Sequence, residues 1–214
     1  MRQESVELLK NLLESFGPAG FERETAQIVK RQISPYADEV TFDKLGTVIF
    51  KKRGTHDNPR ILLAGHIDEI GFVVSGIDDS GFLTFNPLGG WFDQVLLSQR
   101  VIIRTKKGDL IGLVASKPPH LLTPDEQKQV VTKDKMYIDI GTSTKKESED
   151  LGVRIGDPVV PWSPFTLIQN GKLALGKAFD DRIGAFIAME TVRKLKEEAI
   201  PHPNTVYGAA TVQE

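Results

Sequence analysis

The spacing of apolar residues changes twice along this chain, and that change restricts the possible folds more than any other feature. Up to residue 70 and again from residue 166, the pattern is that of helices and buried strands, whereas short alternating segments fill the stretch between. A helix repeats its apolar face about every 3.6 residues and a half-buried strand about every 2. The sequence therefore predicts an α/β domain, residues 1–70 and 166–214, interrupted by a small β domain at 71–165.

The α/β domain is predicted to begin with two amphipathic helices. In the first helix, Ser5 is a candidate cap and Gly17-Pro18 is the expected stop. The apolar face of this helix holds Val6, Leu9, Leu12, Leu13 and Phe16. A second apolar stripe covers 26–33 and ends before Pro35, since the residue preceding a proline disfavours the helical conformation. The two helices are thus expected to follow each other directly.

Strands are predicted to follow these helices. Apolar residues alternate on either side of a polar turn at 43–46, which indicates a strand pair. The run 61–65 is continuously apolar, which is typical of a strand buried on both faces in a sheet that helices cover. After the middle segment, a third helical stripe at 183–195 and an apolar run at 205–212 complete the pattern of an α/β fold.

The middle segment alternates strand-like pieces with polar turns such as Asp78-Asp79-Ser80-Gly81. Residues 118–135 are polar enough to form an exposed loop. The expected strands are 72–75, 82–85, 101–104, 110–114 and 136–140. Many short strands with regular turns predict a small β domain.

The amino-acid composition restricts the kinds of catalytic and metal-binding site that the chain can form. The chain contains no cysteine, which excludes disulfides, thiolate catalysis and Cys-type zinc sites and leaves His, Asp and Glu as metal ligands. A formal net charge of -2 gives no electrostatic reason to expect nucleic acid or a membrane as partner. No apolar run approaches the roughly 20 residues of a membrane span, and the N-terminus lacks a signal-peptide pattern. We therefore expect a cytoplasmic protein.

The motif Gly65-His66-Ile67-Asp68-Glu69 follows directly on a predicted strand. In open α/β sheets, ligands bind beyond the carboxyl ends of the strands. If the strand continues, its period of two places His66 and Asp68 on one face, where the carboxylate can orient an imidazole that binds metal through its other nitrogen. A strand that simply ends in polar surface residues explains this short motif equally well.

Carboxylates stand at two further element ends. Asp180 and Asp181 precede the third helix of this domain, and capping accounts for one of them, while a metal ligand with a supporting neighbour accounts for both. Glu214 ends the last apolar run, where it is either a polar strand end or a general base. Convergence of His, Asp and Glu from three element ends on one rim indicates metal-assisted hydrolysis.

Other catalytic templates are absent from the sequence. It has no phosphate-binding loop, no Gly-x-Ser-x-Gly elbow and no His-Glu-x-x-His motif. His56 and His202 lie in polar or proline-rich segments and are expected at the surface, whereas the role of His120 in Lys117-Pro118-Pro119-His120 stays open.

At these residues the sequence resembles the tetrahedral aminopeptidase family of dinuclear metallopeptidases, which includes glutamyl and deblocking aminopeptidases and members labelled endoglucanases. The resemblance covers essentially the whole chain and rests on motifs at 16–22, 65–72, 117–120, 176–184 and 211–214. It implies a zinc-exopeptidase-like α/β/α catalytic domain interrupted by an inserted small β-barrel-like domain. In that family the insert helps to assemble a large homo-oligomer and restricts the access of peptides.

The resemblance also implies a role for each site residue. His66 would bind one of two divalent ions, zinc or cobalt, Asp180 would bridge both ions, Asp68 would orient His66, and Glu214 would be the general base in cleaving N-terminal residues from peptides. In the family a further glutamate and a later aspartate and histidine complete the two metal sites. All three would lie beyond Glu214, so we expect this chain to be an incomplete piece of such an enzyme.

Two other functions remain open at this point. A glycoside hydrolase would use Asp180 and Glu214 as a carboxylate pair and would need no catalytic metal. A catalytically incomplete module would bind metal weakly and persist through its oligomer contacts.

Overall fold

The computed structural model describes residues 2–214, which form two compact units. One contains the chain up to Glu69 together with Pro164–Glu214, and the other is Ile70–Ser163. The helices are α1 (Gln3–Glu14), α2 (Arg23–Ile33), α3 (Lys145–Asp150) and α4 (Phe179–Glu197). The strands are β1 (Glu39–Phe42), β2 (Val48–Lys52), β3 (His56–His66), β4 (Gly71–Ile77), β5 (Leu83–Leu88), β6 (Arg100–Thr105), β7 (Gly108–Ser116), β8 (Met136–Asp139), β9 (Pro158–Pro161), β10 (Thr166–Ile168), β11 (Leu173–Leu175) and β12 (Asn204–Thr211).

The first unit, hereafter the α/β unit, is built on a four-stranded sheet of order β1-β2-β12-β3. β1 and β2 are the predicted antiparallel pair, while β12 runs antiparallel to β2 and parallel to β3. The β12–β3 register pairs Thr211 with His66, so both strands end at the same edge of the sheet. Helices α1, α2 and α4 share one apolar core with this sheet, including Leu12, Val29 and Phe50.

The prediction that the strand at 61–65 is buried on both faces is wrong. β3 is the end strand of the sheet, and Ile61 and Leu62 are 42% and 65% exposed. A continuous apolar run shows which side chains a strand carries and not what lies beside it, so a central and an edge strand look alike in sequence.

The predicted cap of the first helix is also wrong. α1 begins at Gln3, and Ser5 lies within the helix, where it is buried. Its hydroxyl donates to Glu190 and accepts from Arg193, both on α4. Ser5, near the start of α1, therefore joins two helices instead of capping one. The second helix is confirmed, since α2 ends at Ile33, before Pro35.

The second unit, hereafter the barrel unit, is a closed barrel with the strand order β4-β5-β8-β7-β6-β9. All five predicted strands are present as β4 to β8. β9 and α3 escape the sequence prediction because β9 begins and ends with a proline and the residues of α3 are nearly all charged. The barrel core is apolar, with Phe72 packed between Phe85 and Trp91. None of the helices in residues 2–214 has the length and apolar character to cross a membrane.

Candidate active site

His66 is the last residue of β3 and stands at the carboxyl edge of the sheet. Its Nδ1 lies 3.3 Å from the backbone oxygen of Asp68 and 3.5 Å from the Asp68 Oδ1 atom. The strand does not continue to Asp68, yet the two residues meet as expected, with the carbonyl nearer than the carboxylate. A proton held on Nδ1 by either oxygen leaves the lone pair of Nε2 free to bind a metal.

Asp180 reaches the same edge from the start of α4. Asp180 and Asp181 depart from helical geometry, and the peptide bond between them is cis. The Asp181 carboxylate accepts a hydrogen bond from the backbone N–H of Gly184 at 3.1 Å, which makes Asp181 the helix cap, as one interpretation of the sequence holds. Asp180 is therefore not needed for capping, and its Oδ1 lies 3.4 Å from His66 Nε2.

Glu214 follows β12, the strand that runs parallel to β3. Its Oε2 lies 3.4 Å from His66 Nε2, and its backbone N–H donates to Asp68 Oδ1 at 3.3 Å. The structure thus brings His66, Asp68, Asp180 and Glu214 together, as the convergence of element ends predicts. His120 lies in the barrel unit, where it is exposed.

The Nε2 atom of His66 tests whether a metal ion fits here. This nitrogen is buried and makes no hydrogen bond, while carboxylate oxygens of Asp180 and Glu214 stand 3.4 Å away. Two ligand atoms at about 2.1 Å from a tetrahedral zinc ion are roughly 3.4 Å apart, so the spacing fits a shared cation. Across residues 2–214, however, no three His, Asp or Glu side chains can hold a metal ion by themselves. The residues present therefore fit part of a metal site.

Three further charged residues adjoin the site, and we refer to Glu69, Lys177 and Arg182 as the Glu69 cluster. Lys177 Nζ donates to both carboxylate oxygens of Glu69 at 2.5 and 2.7 Å, and Arg182 Nη2 lies 3.2 Å from Glu69 Oε1. Their side chains are 9%, 2% and 0% exposed for Lys177, Glu69 and Arg182. Burial lowers the pKa of the Lys177 ammonium, against the attraction of Glu69.

Arg182 also binds backbone carbonyls around the site. Its guanidinium donates to Ile67 at 2.7 Å, to Leu12 at 2.7 Å and to Ser15 at 2.9 Å. It therefore joins the residue between His66 and Asp68 to the end of α1. The sequence prediction missed this cluster because charged residues beside a motif look like solvated surface, and nothing in their spacing shows that they are buried.

Comparison with known families identifies the family of this chain. The model of the M42 glutamyl aminopeptidase family matches residues 46–214, a segment that includes His66, Asp68, Asp180 and Glu214. The chain belongs to the M42 glutamyl aminopeptidase family. Membership of this family implies divalent metal cofactors.

Individual relatives are similar over nearly the whole chain. The lysyl aminopeptidase of Pyrococcus furiosus is 35% identical over 211 residues, which are 97% of this chain and 59% of that protein. The crystal structure of a TET aminopeptidase from a marine sediment archaeon, Thaumarchaeota archaeon, matches with a TM-score of 0.96 and 61% identity, over 99% of this chain and 58% of that chain. The TET1 peptidase of Pyrococcus horikoshii, which can assemble into a tetrahedron or a large octahedral shell, matches with a TM-score of 0.84 and 32% identity, over 98% of this chain and 61% of that one. The chain spans less than two thirds of the length of each.

Proposed function

We propose that this chain carries residues of the active site of a metal-dependent aminopeptidase, which releases N-terminal residues from peptides. The observation that carries the proposal is the buried Nε2 of His66, which makes no hydrogen bond and faces carboxylates of Asp180 and Glu214 at 3.4 Å. Membership of the M42 family and the similarity to a lysyl aminopeptidase support the same reaction.

The side chains at the sheet edge suit distinct tasks in holding a cofactor. A divalent ion bound here would act as a Lewis acid and lower the pKa of water at the site. His66 would bind it through Nε2, with Nδ1 held by Asp68. Asp180, whose Oδ1 lies 3.4 Å from His66 Nε2, would supply a carboxylate ligand from the start of α4. Ligands of nitrogen and oxygen suit zinc or cobalt.

Glu214 would act as the general base that transfers a proton during hydrolysis. Its Oε2 lies at the edge of the sheet, 3.4 Å from His66 Nε2, where the carboxylate would meet a water and a peptide. It would take a proton from the attacking water and pass it to the amine nitrogen that leaves when the peptide C–N bond breaks. Asp68 would hold the Glu214 backbone through its contact at 3.3 Å.

The broader properties of the protein belong to the same proposal. The enzyme would act in the cytoplasm as a large homo-oligomer, as the assembly of the P. horikoshii relative supports. The barrel unit would be an insert in the catalytic domain and would contribute to assembly and to the restriction of access for peptides. These points extend the domain organisation predicted from the sequence.

The proposal is tested with Glu214→Gln and with metal removal. The hydrolysis of aminoacyl 4-nitroanilides by the full-length protein should stop when a chelator is added. It should return when zinc or cobalt is supplied. Glu214→Gln should lower kcat about 10²–10⁴-fold, the usual contribution of a general base. Glu198→Gln, an exposed carboxylate at the end of α4, is the control and should leave the rate unchanged.

Three outcomes would contradict the aminopeptidase assignment. Activity that survives both chelation and Glu214→Gln would overturn the proposed chemistry. Cleavage of β-glucans that is insensitive to chelators would favour the glycoside hydrolase alternative. Absence of both activities, together with weak metal binding, would favour the incomplete module.

A further inference from the structure

Glu69 stands where two parts of the candidate site meet. It follows Asp68 in the chain, and its carboxylate accepts hydrogen bonds from Lys177 and Arg182. Those two cations flank Asp180, one before it in the chain and one after it. Glu69 therefore links the segment that carries His66 and Asp68 to both sides of the segment that carries Asp180.

Glu69 is itself fixed at this position. Its backbone N–H donates to the Gly17 carbonyl at 3.0 Å, and the Gly17 N–H lies 3.3 Å from Glu69 Oε1. With its side chain 2% exposed, the carboxylate is withdrawn from solvent. An anchor of this kind is rigid because its backbone and its side chain are both held.

Asp180, in contrast, receives little support from its own side chain. That side chain is 98% exposed, so its distance from His66 is set by the backbone that carries it. The backbone is irregular here, because Ala178 adopts a left-handed φ of 56° and Asp180 has an extended ψ of 112°. Residues other than Gly, Asn and Asp seldom adopt the left-handed region, so contacts elsewhere must hold this segment in place.

We propose that Glu69 is a positioning residue, which sets the metal affinity of the site by holding Lys177 and Arg182 and thereby the Asp180 carboxylate against His66. The inference deepens the proposed function and rests on it. Glu69 would bind no metal itself and would act through the backbone on both sides of Asp180. Loss of such supporting contacts typically weakens metal binding about 10–100-fold.

A purely structural role is the alternative, and the variants must separate the two. Glu69→Gln leaves two buried cations without their counter-ion and is expected to lower stability strongly. Lys177→Met is milder, because it keeps the Glu69–Arg182 pair and removes only the anchor that precedes Asp180. Glu190→Gln is the matched control, since it neutralises another shielded ion pair of α4, in which Arg193 lies 2.7 Å from Glu190.

The experiment is a titration of the full-length protein with Co²⁺, followed by the visible d–d absorption, with thermal unfolding measured in parallel. For Glu69→Gln and Lys177→Met we expect the Co²⁺ dissociation constant to rise about 10–100-fold and the absorption bands to change shape. Glu190→Gln should lose stability while keeping the affinity and the spectrum of the wild type.

Each outcome decides the inference. Wild-type affinity and spectrum in both cluster variants would show that the Glu69 cluster is only structural, and an equal loss in Glu190→Gln would show the same. If Glu69→Gln does not fold, Lys177→Met alone decides. A wild-type protein that binds no Co²⁺ would overturn the proposed function and the inference with it, whereas normal wild-type binding with unaffected variants overturns the inference alone.

Discussion

One ion pair in each unit of this protein shows how far the surroundings of such a pair can differ. In the α/β unit, the side chains of Glu69 and Arg182 are 2% and 0% exposed. In the barrel unit, the two-point contact between Arg104 and Asp109 involves side chains that are 35% and 44% exposed. Water screens the second pair and not the first. The same types of residue therefore form a rigid anchor in one unit and a replaceable surface contact in the other.

The difference follows from what each unit has to hold in place. The barrel closes on itself, and apolar side chains such as Leu83 and Ile138 fill its interior. In the α/β unit, the ends of α1, β3 and the segment before α4 converge, each with polar backbone groups to satisfy. A buried guanidinium can bind several carbonyls at once, which no apolar side chain can do. The buried charge of the Glu69 cluster thus lies where backbone segments meet, whereas the core of the barrel is apolar.

The strongest challenge to this comparison is Arg182→Met. The variant removes a fully buried cation together with its hydrogen bonds to the carbonyls of Leu12 and Ile67. We expect the free energy of unfolding to fall by about 3–5 kcal/mol, as when a buried ion pair loses one partner. Urea denaturation measures it. Arg104→Met in the barrel unit should cost at most about 1 kcal/mol, and equal losses would contradict the comparison.

A smaller effect is expected from Gly65→Ala. A Cβ atom at Gly65 would stand 2.2 Å from the Ala185 nitrogen and 2.5 Å from the Gly184 carbonyl carbon, so β3 and α4 would have to separate. Overpacking of this kind costs roughly 1–3 kcal/mol. In the barrel unit nothing lies within 4 Å of a Cβ at Gly90, and Gly90→Ala is the control. Thermal unfolding of the two variants compares them, and an unaffected Gly65→Ala would show that the close approach can relax.

The smallest expected effect is the loss of stability in Asp109→Asn, and this loss should depend on pH. Hydrogen bonds from Arg104 lower the pKa of the Asp109 carboxyl, so the folded protein binds this proton less readily than the unfolded chain. The stabilisation is therefore present above the ordinary pKa and is lost as the pH falls through the lowered one. Near neutral pH the variant should lose at most about 1 kcal/mol. Urea denaturation at several pH values should show a difference that shrinks in acid, and a growing difference would contradict the sign.

The meeting of the four site residues could be predicted because it depends on where elements end. His66 and Glu214 close apolar runs, and parallel strands bring their carboxyl ends to one edge. Asp180 could be predicted as a site residue because capping of α4 needs only one of the two aspartates, and Asp181 is sufficient for it. The roles of these residues stay predictions.

The features that could not be predicted depend on contacts between distant segments, which the spacing of residues in the sequence does not show. The charges of Lys177 and Arg182 are visible in the sequence, but their burial results from packing against Ser15 and Glu69. The exposed position of β3 likewise depends on which strands lie beside it. Propensity and periodicity describe one segment at a time, so features made by several segments escape them.

The parallel pairing of β12 with β3 has a consequence for when the candidate site can form during synthesis. Asp68 and Glu214 are 146 positions apart in the chain, and their contact forms only when β12 docks beside β3. A ribosome adds about 5–20 residues per second, so His66 emerges several seconds before Glu214 can reach it. Throughout that interval the nascent chain has the His66 imidazole without the Glu214 carboxylate next to it. The four site residues can therefore come together only after residue 214 has been made and the sheet has assembled.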